Sequence, residues 1–149
     1  MIAKSSATVR AVSTRLFGDL TFDLSELVHF PDGLPGFPAC RTFALLPTGI
    51  DALAWLQSAD QPDIALLLVT PDAAVPGATT VPEQLRRDGL FTALVVTLPG
   101  PQTGPATANL QAPIVIDRST GIGRQVILPD SRFGVTHPFD LGALTPHAA

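Results

Sequence analysis

The side chains with reactive chemistry are few and scattered. His29, His137 and His147 could ligate a metal or carry protons, but none has another His or Cys at ligand spacing, so no local zinc site is expected. Cys40 is the single cysteine. It follows Phe37-Pro38-Ala39 with no helix start to activate its thiol, and reads as a small buried residue. Asp19 and Asp23 fall on one face of a strand, where both carboxylates are too solvated to divide general-acid and general-base work. A serine nucleophile would want a G-x-S-x-G elbow, which is absent. Gly121-Ile122-Gly123 lacks the third glycine and the following helix of a dinucleotide fingerprint. No cofactor or metal is expected. The enzymatic alternative is a cofactor site shared between subunits of a small β-barrel, which needs no local motif.

Binding chemistry is better represented. Asn109-Leu110-Gln111-Ala112-Pro113 places a proline where it cannot donate a ladder hydrogen bond, marking a sheet edge, a strand start or a bulge. The amides of Asn109 and Gln111 then either close the chain's own bulge or hold the backbone of a guest. From Leu16 to Leu85 nine acids face one base, Arg41, while the overall charge is only −4. That imbalance disfavours nucleic acid as a direct ligand, since phosphate neutralisation needs a basic footprint. It suits steering of a basic protein partner, unless the acids serve only to solubilise the surface.

The elements that must position these groups are short strands. Fifteen prolines and twelve glycines are spread between apolar runs across 149 residues, a pattern of strands and turns and not of a helical bundle. The strongest pair is Ile114-Val115-Ile116 and Gln125-Val126-Ile127-Leu128, joined by Arg118 to Gly123 with two glycines for left-handed positions: a β-hairpin with a longer loop. Asp19 to Leu24 alternates, sending Leu20, Phe22 and Leu24 to one face. Residues 7–15 make a first strand of open register. Val28 to Phe30 resumes as a strand, and Pro31 to Pro38, with three prolines and two glycines, forms a rigid loop. Its apolar Leu34 and Phe37 are expected to plug the barrel mouth; the alternative is that they face a partner. Thr42 to Leu46 is a strand, Ala52 to Ser58 a strand or a helical turn, with Trp55 a core or rim aromatic. Ile64 to Thr70 is central, and Phe91 to Leu98 is a further strand. Asp72 to Thr79 reads as a loop and Pro99 to Pro105 as the most flexible connection. Thr80 and Glu83 resemble a capping box opening a short helix over 82–88.

The expected architecture is all-β and mainly antiparallel: a compact β-barrel-like single domain over residues 1–149 with one or two short helices, its tail 130–149 partly frayed. The longest wholly apolar stretch, Ile64 to Val69, falls far short of the roughly 20 residues of a membrane span. The N-terminus lacks the apolar core of a signal peptide. With a lone cysteine, a cytoplasmic protein is the expectation, and a monomer is expected.

Four motifs in order resemble the FliW family of flagellar assembly factors: Phe30-Pro31-Asp32-Gly33-Leu34-Pro35-Gly36-Phe37, Trp55-Leu56-Gln57-Ser58, Asn109 to Ile116 (NLQAPIVI), and Arg124-Gln125-Val126-Ile127-Leu128. The resemblance implies a non-enzymatic binding protein with two protein partners, flagellin and CsrA, a small RNA-binding regulator that represses flagellin translation. Capture of CsrA would relieve repression, and new flagellin would compete for the same protein. The chain departs from the family at Ala73 to Ala78, where an acidic, Tyr-containing segment is common. That departure leaves room for a flagellin chaperone without CsrA binding. Among motif positions, Gln57 and Asn109 are the candidates to hydrogen-bond a partner's backbone, Phe37 and Pro113 to shape an apolar patch, and Asp19, Asp23 and Asp32 to steer a basic surface.

Overall fold

The computed structural model describes residues 9–76, 81–101, 104–128 and 134–144. Seven strands close into a barrel: β3 (Leu27–His29), β4 (Thr42–Pro47), β5 (Leu53–Ser58), β6 (Ala65–Val69), β7 (Leu90–Thr97), β9 (Ile114–Asp117) and β10 (Ile122–Gln125). Around the ring the order is β7-β6-β5-β4-β3-β10-β9, and β9 returns to β7 through pairs from Leu90↔Asp117 to Ala93↔Ile114. A closed ring with an odd number of strands cannot alternate in direction throughout. One neighbouring pair must run parallel, and it is β3–β10, joined through the single register pair His29↔Ile122. Closure leaves the ring without exposed edges.

Two appendages complete the molecule. β1 (Val9–Thr14) and β2 (Gly18–Asp23) form a separate antiparallel hairpin. β8 (Thr107–Ala108) extends β7 beyond β9, and β11 (His137–Pro138) lies outside β8.

The unbroken apolar run of β6 is explained by burial on both faces. Leu68 points into the barrel with Phe30, Phe43, Leu56 and Ile114. Leu67 and Val69 point outward, into a second cluster with Leu94, Ala108 and Leu110. The β1–β2 hairpin docks through Val12 and Phe22 against Leu27, Ala44 and Ala59, which fixes the register that alternation left open. Phe17 meets Trp55 edge to face at 5.6 Å, placing the tryptophan at the rim. Leu24 does not join this face and is exposed: β2 stops at Asp23, which accepts a hydrogen bond from Ser25 N–H and caps a 3-10 turn over Leu24–Glu26.

Four expectations are corrected. The second hairpin strand is Ile122–Gln125 and not Gln125 to Leu128, because the turn is shorter than its two glycines suggest. Only Gly121 adopts a positive φ, +72°; Gly123 does not, and is instead pressed against the Phe30 ring. The helix expected over 82–88 is a single 3-10 turn, Glu83–Leu85, with no side-chain cap; Thr80 lies outside the described residues. A one-turn α-helix, α1 (Pro71–Ala74), stands where a loop was expected, initiated by proline at its first position and anchored by buried Ala74. In the connection at 99–105, of which residues 102 and 103 lie outside the described residues, Gly100 and Gly104 exchange two backbone hydrogen bonds.

Of the tail, residues 130–133 and 145–149 lie outside the described residues. In the described part, Leu110 N–H donates to Gly134 O, and Phe139, Leu141 and Leu144 pack on the outer cluster.

Candidate protein-binding site

The loop after β3 is a rigid double turn. Phe30 is buried in the barrel, and its carbonyl accepts from Gly33 N–H at 2.9 Å. Leu34 and Phe37 bond to each other's backbone, and Cys40 N–H donates to Phe37 O. Gly33 has φ +68°, and a Cβ there would lie 2.6 Å from Pro38 O, so no other residue fits the turn. The two large apolar groups divide. Leu34 plugs the barrel mouth at 3% exposure, whereas Phe37 remains 38% exposed and faces outward, against the expectation that both would plug. Beside this loop is a cleft of about 330 Å³ lined by Asp32, Leu34, Pro35, Pro38, Arg124 and Gln125. Asp32 and Phe37 are both exposed on this one loop.

Asp19 stands exposed on β2 and Asp23 is half-buried at its end, so the acidic pair belongs to the hairpin and not to the cleft. Asp23 has structural work there: Ser25 N–H and Oγ–H both donate to its Oδ1, and its own N–H donates to Glu26.

The structure places the remaining candidates in the core or against the chain's own backbone. Gln57 is 1% exposed, and its amide Nε2 donates to the carbonyls of Ser58, Pro62 and Ile64 at 2.9, 3.0 and 3.2 Å. It holds the β5–β6 loop and cannot reach a partner's backbone. Pro113 is fully buried and shapes no surface patch. It precedes β9, and its carbonyl accepts from Val126 N–H at 2.9 Å. Asn109 is half-buried, and its Oδ1 accepts from Gln111 N–H at 3.0 Å. The segment Asn109 to Pro113 is a wide bulge between β8 and β9, with Leu110 driven fully into the outer cluster. Gln125 Nε2 donates to Ala112 O and Leu128 N–H to Gln111 O, so the amides of this region close the chain's own bulge.

A carboxylate that the sequence did not single out organises the hairpin's docking. Asp60 accepts from Arg41 N–H and Thr42 N–H, both at 2.8 Å, and meets the Arg10 guanidinium of β1 at 3.4 Å. Partial burial pushes its carboxyl up, but the two N–H donors and Arg10 outweigh this and hold it below the usual aspartate range. Arg124, the first residue of the Arg124 to Leu128 motif, is a further exposed residue lining the cleft. Its outward position, two residues from outward Ile122, is the alternation signal that would have found it.

Among the described residues no group of three or more His, Cys, Asp or Glu could hold a metal, and no helix is long and apolar enough to cross a membrane.

A family model described as FliW protein matches residues 11–139. The chain is 32% identical over 136 residues to a flagellar assembly factor FliW of Geotalea uraniireducens, covering 86% of this chain and 83% of that one. It is 38% identical over 136 residues to a protein of the same name from Moorella thermoacetica, covering 85% of each. The fold is similar to a crystal structure of the flagellar assembly factor FliW, with a TM-score of 0.74 and 28% identity over 94% of this chain and 100% of that one.

Proposed function

Since the chain belongs to the FliW family, whose motifs and barrel it carries over nearly its whole length, we propose that it is a flagellar assembly factor acting by protein binding and not by catalysis. Its partners are flagellin and CsrA, held in competition. When flagellin is scarce, the protein captures CsrA and flagellin translation proceeds; when flagellin accumulates, it displaces CsrA and repression returns. The cytoplasm, where both partners are made, is the compartment this requires.

The observation that carries this reading is the combination of family-wide likeness with exposed carboxylates on two elements. Asp19 on β2 and Asp32 on the 31–38 loop are exposed, and Phe37, on the same loop as Asp32, offers an apolar anchor. A basic RNA-binding dimer would be steered to such carboxylates, mainly through its association rate. Antagonism needs only that CsrA bound here holds RNA less tightly, and the coupling is reciprocal: RNA must weaken CsrA binding to this protein by the same factor.

One observation favours a second reading, a flagellin chaperone without the regulatory arm. Where an acidic segment would be expected after Thr70, α1 presents Asp72 as its only charge and tucks Ala74 into the core.

The test is calorimetric titration with CsrA from the same organism, repeated after saturation with flagellin. CsrA binding that flagellin abolishes supports the competitive reading. Flagellin binding without CsrA heat supports the chaperone reading, and silence with both partners removes both.

A further inference from the structure

On the outer face of β9 and β10 the surface changes sign. A groove of about 360 Å³ runs between the 83–90 segment and these strands, bounded by Leu85, Arg87 and Leu90 on one side and by Val115, Ile122 and Arg124 on the other. Val115 is its buried floor, packed under Leu85, while Ile122 is 43% exposed at its lip. Neither the Arg87 nor the Arg124 guanidinium makes a hydrogen bond or ion pair among the described residues. Asp117, the one carboxylate lining the groove, is turned to its own loop: Ser119 N–H and Oγ–H donate to its Oδ1 at 2.9 and 2.7 Å, and Arg87 acts on it through space.

A chain of net charge −4 thus keeps two guanidiniums beside an exposed isoleucine and an apolar floor. An unpaired arginine costs nothing on a surface, but two of them flanking an apolar groove match a ligand with carboxylates on either side of an aliphatic residue. We propose that this groove docks an extended acidic segment of a protein partner, seating an aliphatic side chain on Val115 and Ile122 and carboxylates on Arg87 and Arg124. A nucleic acid would need a continuous basic track to neutralise successive phosphates, whereas Glu83 and Asp88 stand in the same segment as Arg87. The groove adjoins the cleft beside the 31–38 loop, because Arg124 lines both, whereas Arg87 and Val115 line the groove and not the cleft.

The probe is a fluorescein-labelled peptide alternating glutamate with leucine, titrated into the full chain at low salt and followed by anisotropy. Its lysine counterpart and an oligouridylate of equal charge serve as comparisons. The acidic peptide should bind, Arg124→Glu or Arg87→Glu should weaken it about tenfold, and Ile122→Ala about threefold. Arg41→Glu, which changes net charge equally but lies beside Asp60, should leave it unchanged. All four variants replace exposed or groove-lip side chains, and a thermal melt checks that each folds; two arginine variants keep the test open if one does not. Failure of the acidic peptide to bind the wild type, an equal loss in Arg41→Glu, or tighter binding of the oligouridylate overturns the proposal. Arg87→Glu leaves the cleft beside the 31–38 loop untouched, so loss of the acidic peptide in that variant is distinguished from CsrA binding, which the calorimetric titration reads separately.

Discussion

Gly123 lies directly against the ring of Phe30: a Cβ at that position would sit 2.6 Å from Phe30 Cζ and 2.8 Å from Cε1. Phe30 cannot yield, because it is 1% exposed and packed edge to face on Phe43 at 5.1 Å. Gly123→Ala should therefore destabilise the fold by about 1–3 kcal/mol, the cost of overpacking a close-packed interior. Urea unfolding monitored at Trp55 measures it; an unchanged midpoint would mean the ring has somewhere else to go.

Gln57→Ala removes the donor shared by the carbonyls of Ser58, Pro62 and Ile64, of which only Ser58 is a buried residue. A loss of about 1–2 kcal/mol is expected, with flagellin and CsrA affinities unaltered once the protein is folded. Asn109→Ala, which deletes one turn-closing acceptor near the surface, should cost about 1 kcal/mol. Thermal melts and titrations on the same samples separate the two readouts, and reduced affinity at unchanged stability would return either amide to the list of partner contacts.

Leu34 and Phe37 should part company in the same assay. Leu34→Ala empties a core site and should cost about 2–5 kcal/mol. Phe37→Ala should cost less, about 1–2 kcal/mol, because more than a third of the residue is already in water, and should weaken partner binding. Equal destabilisation by both would mean that Phe37 belongs to the core after all.

The Asp60 carboxyl is held below its ordinary range by N–H donors that exist only in the fold. A depressed folded-state value means that its stabilisation is fully present above the ordinary aspartate range and is lost as pH falls through the lowered one. Asp60→Asn should be less stable than wild type at neutral pH, and the gap should narrow on acidification. Paired urea titrations at neutral and strongly acidic pH test the sign; a gap that widens in acid would refute it.

Much of the barrel was legible because its strands announce themselves by period. Asp19 to Asp23 alternates since one face meets water, and Ile64 to Val69 does not since both faces are covered. What failed to show were partners distant in sequence. Gly123 looked like a turn residue because nothing local reveals the Phe30 ring above it. Gln57 looked like a surface amide because its three carbonyl partners belong to a loop whose path depends on where β6 returns. The short helix over 82–88 was read from a cap pattern, but Leu85 is pulled onto Val115, and that packing ends the turn early. Pro113 marked an edge, a strand start or a bulge, and only the strands on either side decide among them.

The parallel pairing of β3 with β10 follows from the odd number of strands, and it sets an order of events as well as a shape. A ring fails wherever it is least stitched. His29 and Ile122 are the single paired position at that joint, supported by His29 N–H donating to Gly121 O at 2.8 Å. Opening there would convert the barrel to a curled sheet with two raw borders, while every antiparallel ladder stayed intact. The amides of His29 and Ile122 should accordingly exchange with deuterium before those of β5 and β6. A partner gripping the 31–38 loop and Arg124 together would span this joint like a clasp, and slower exchange at these two amides would report its arrival.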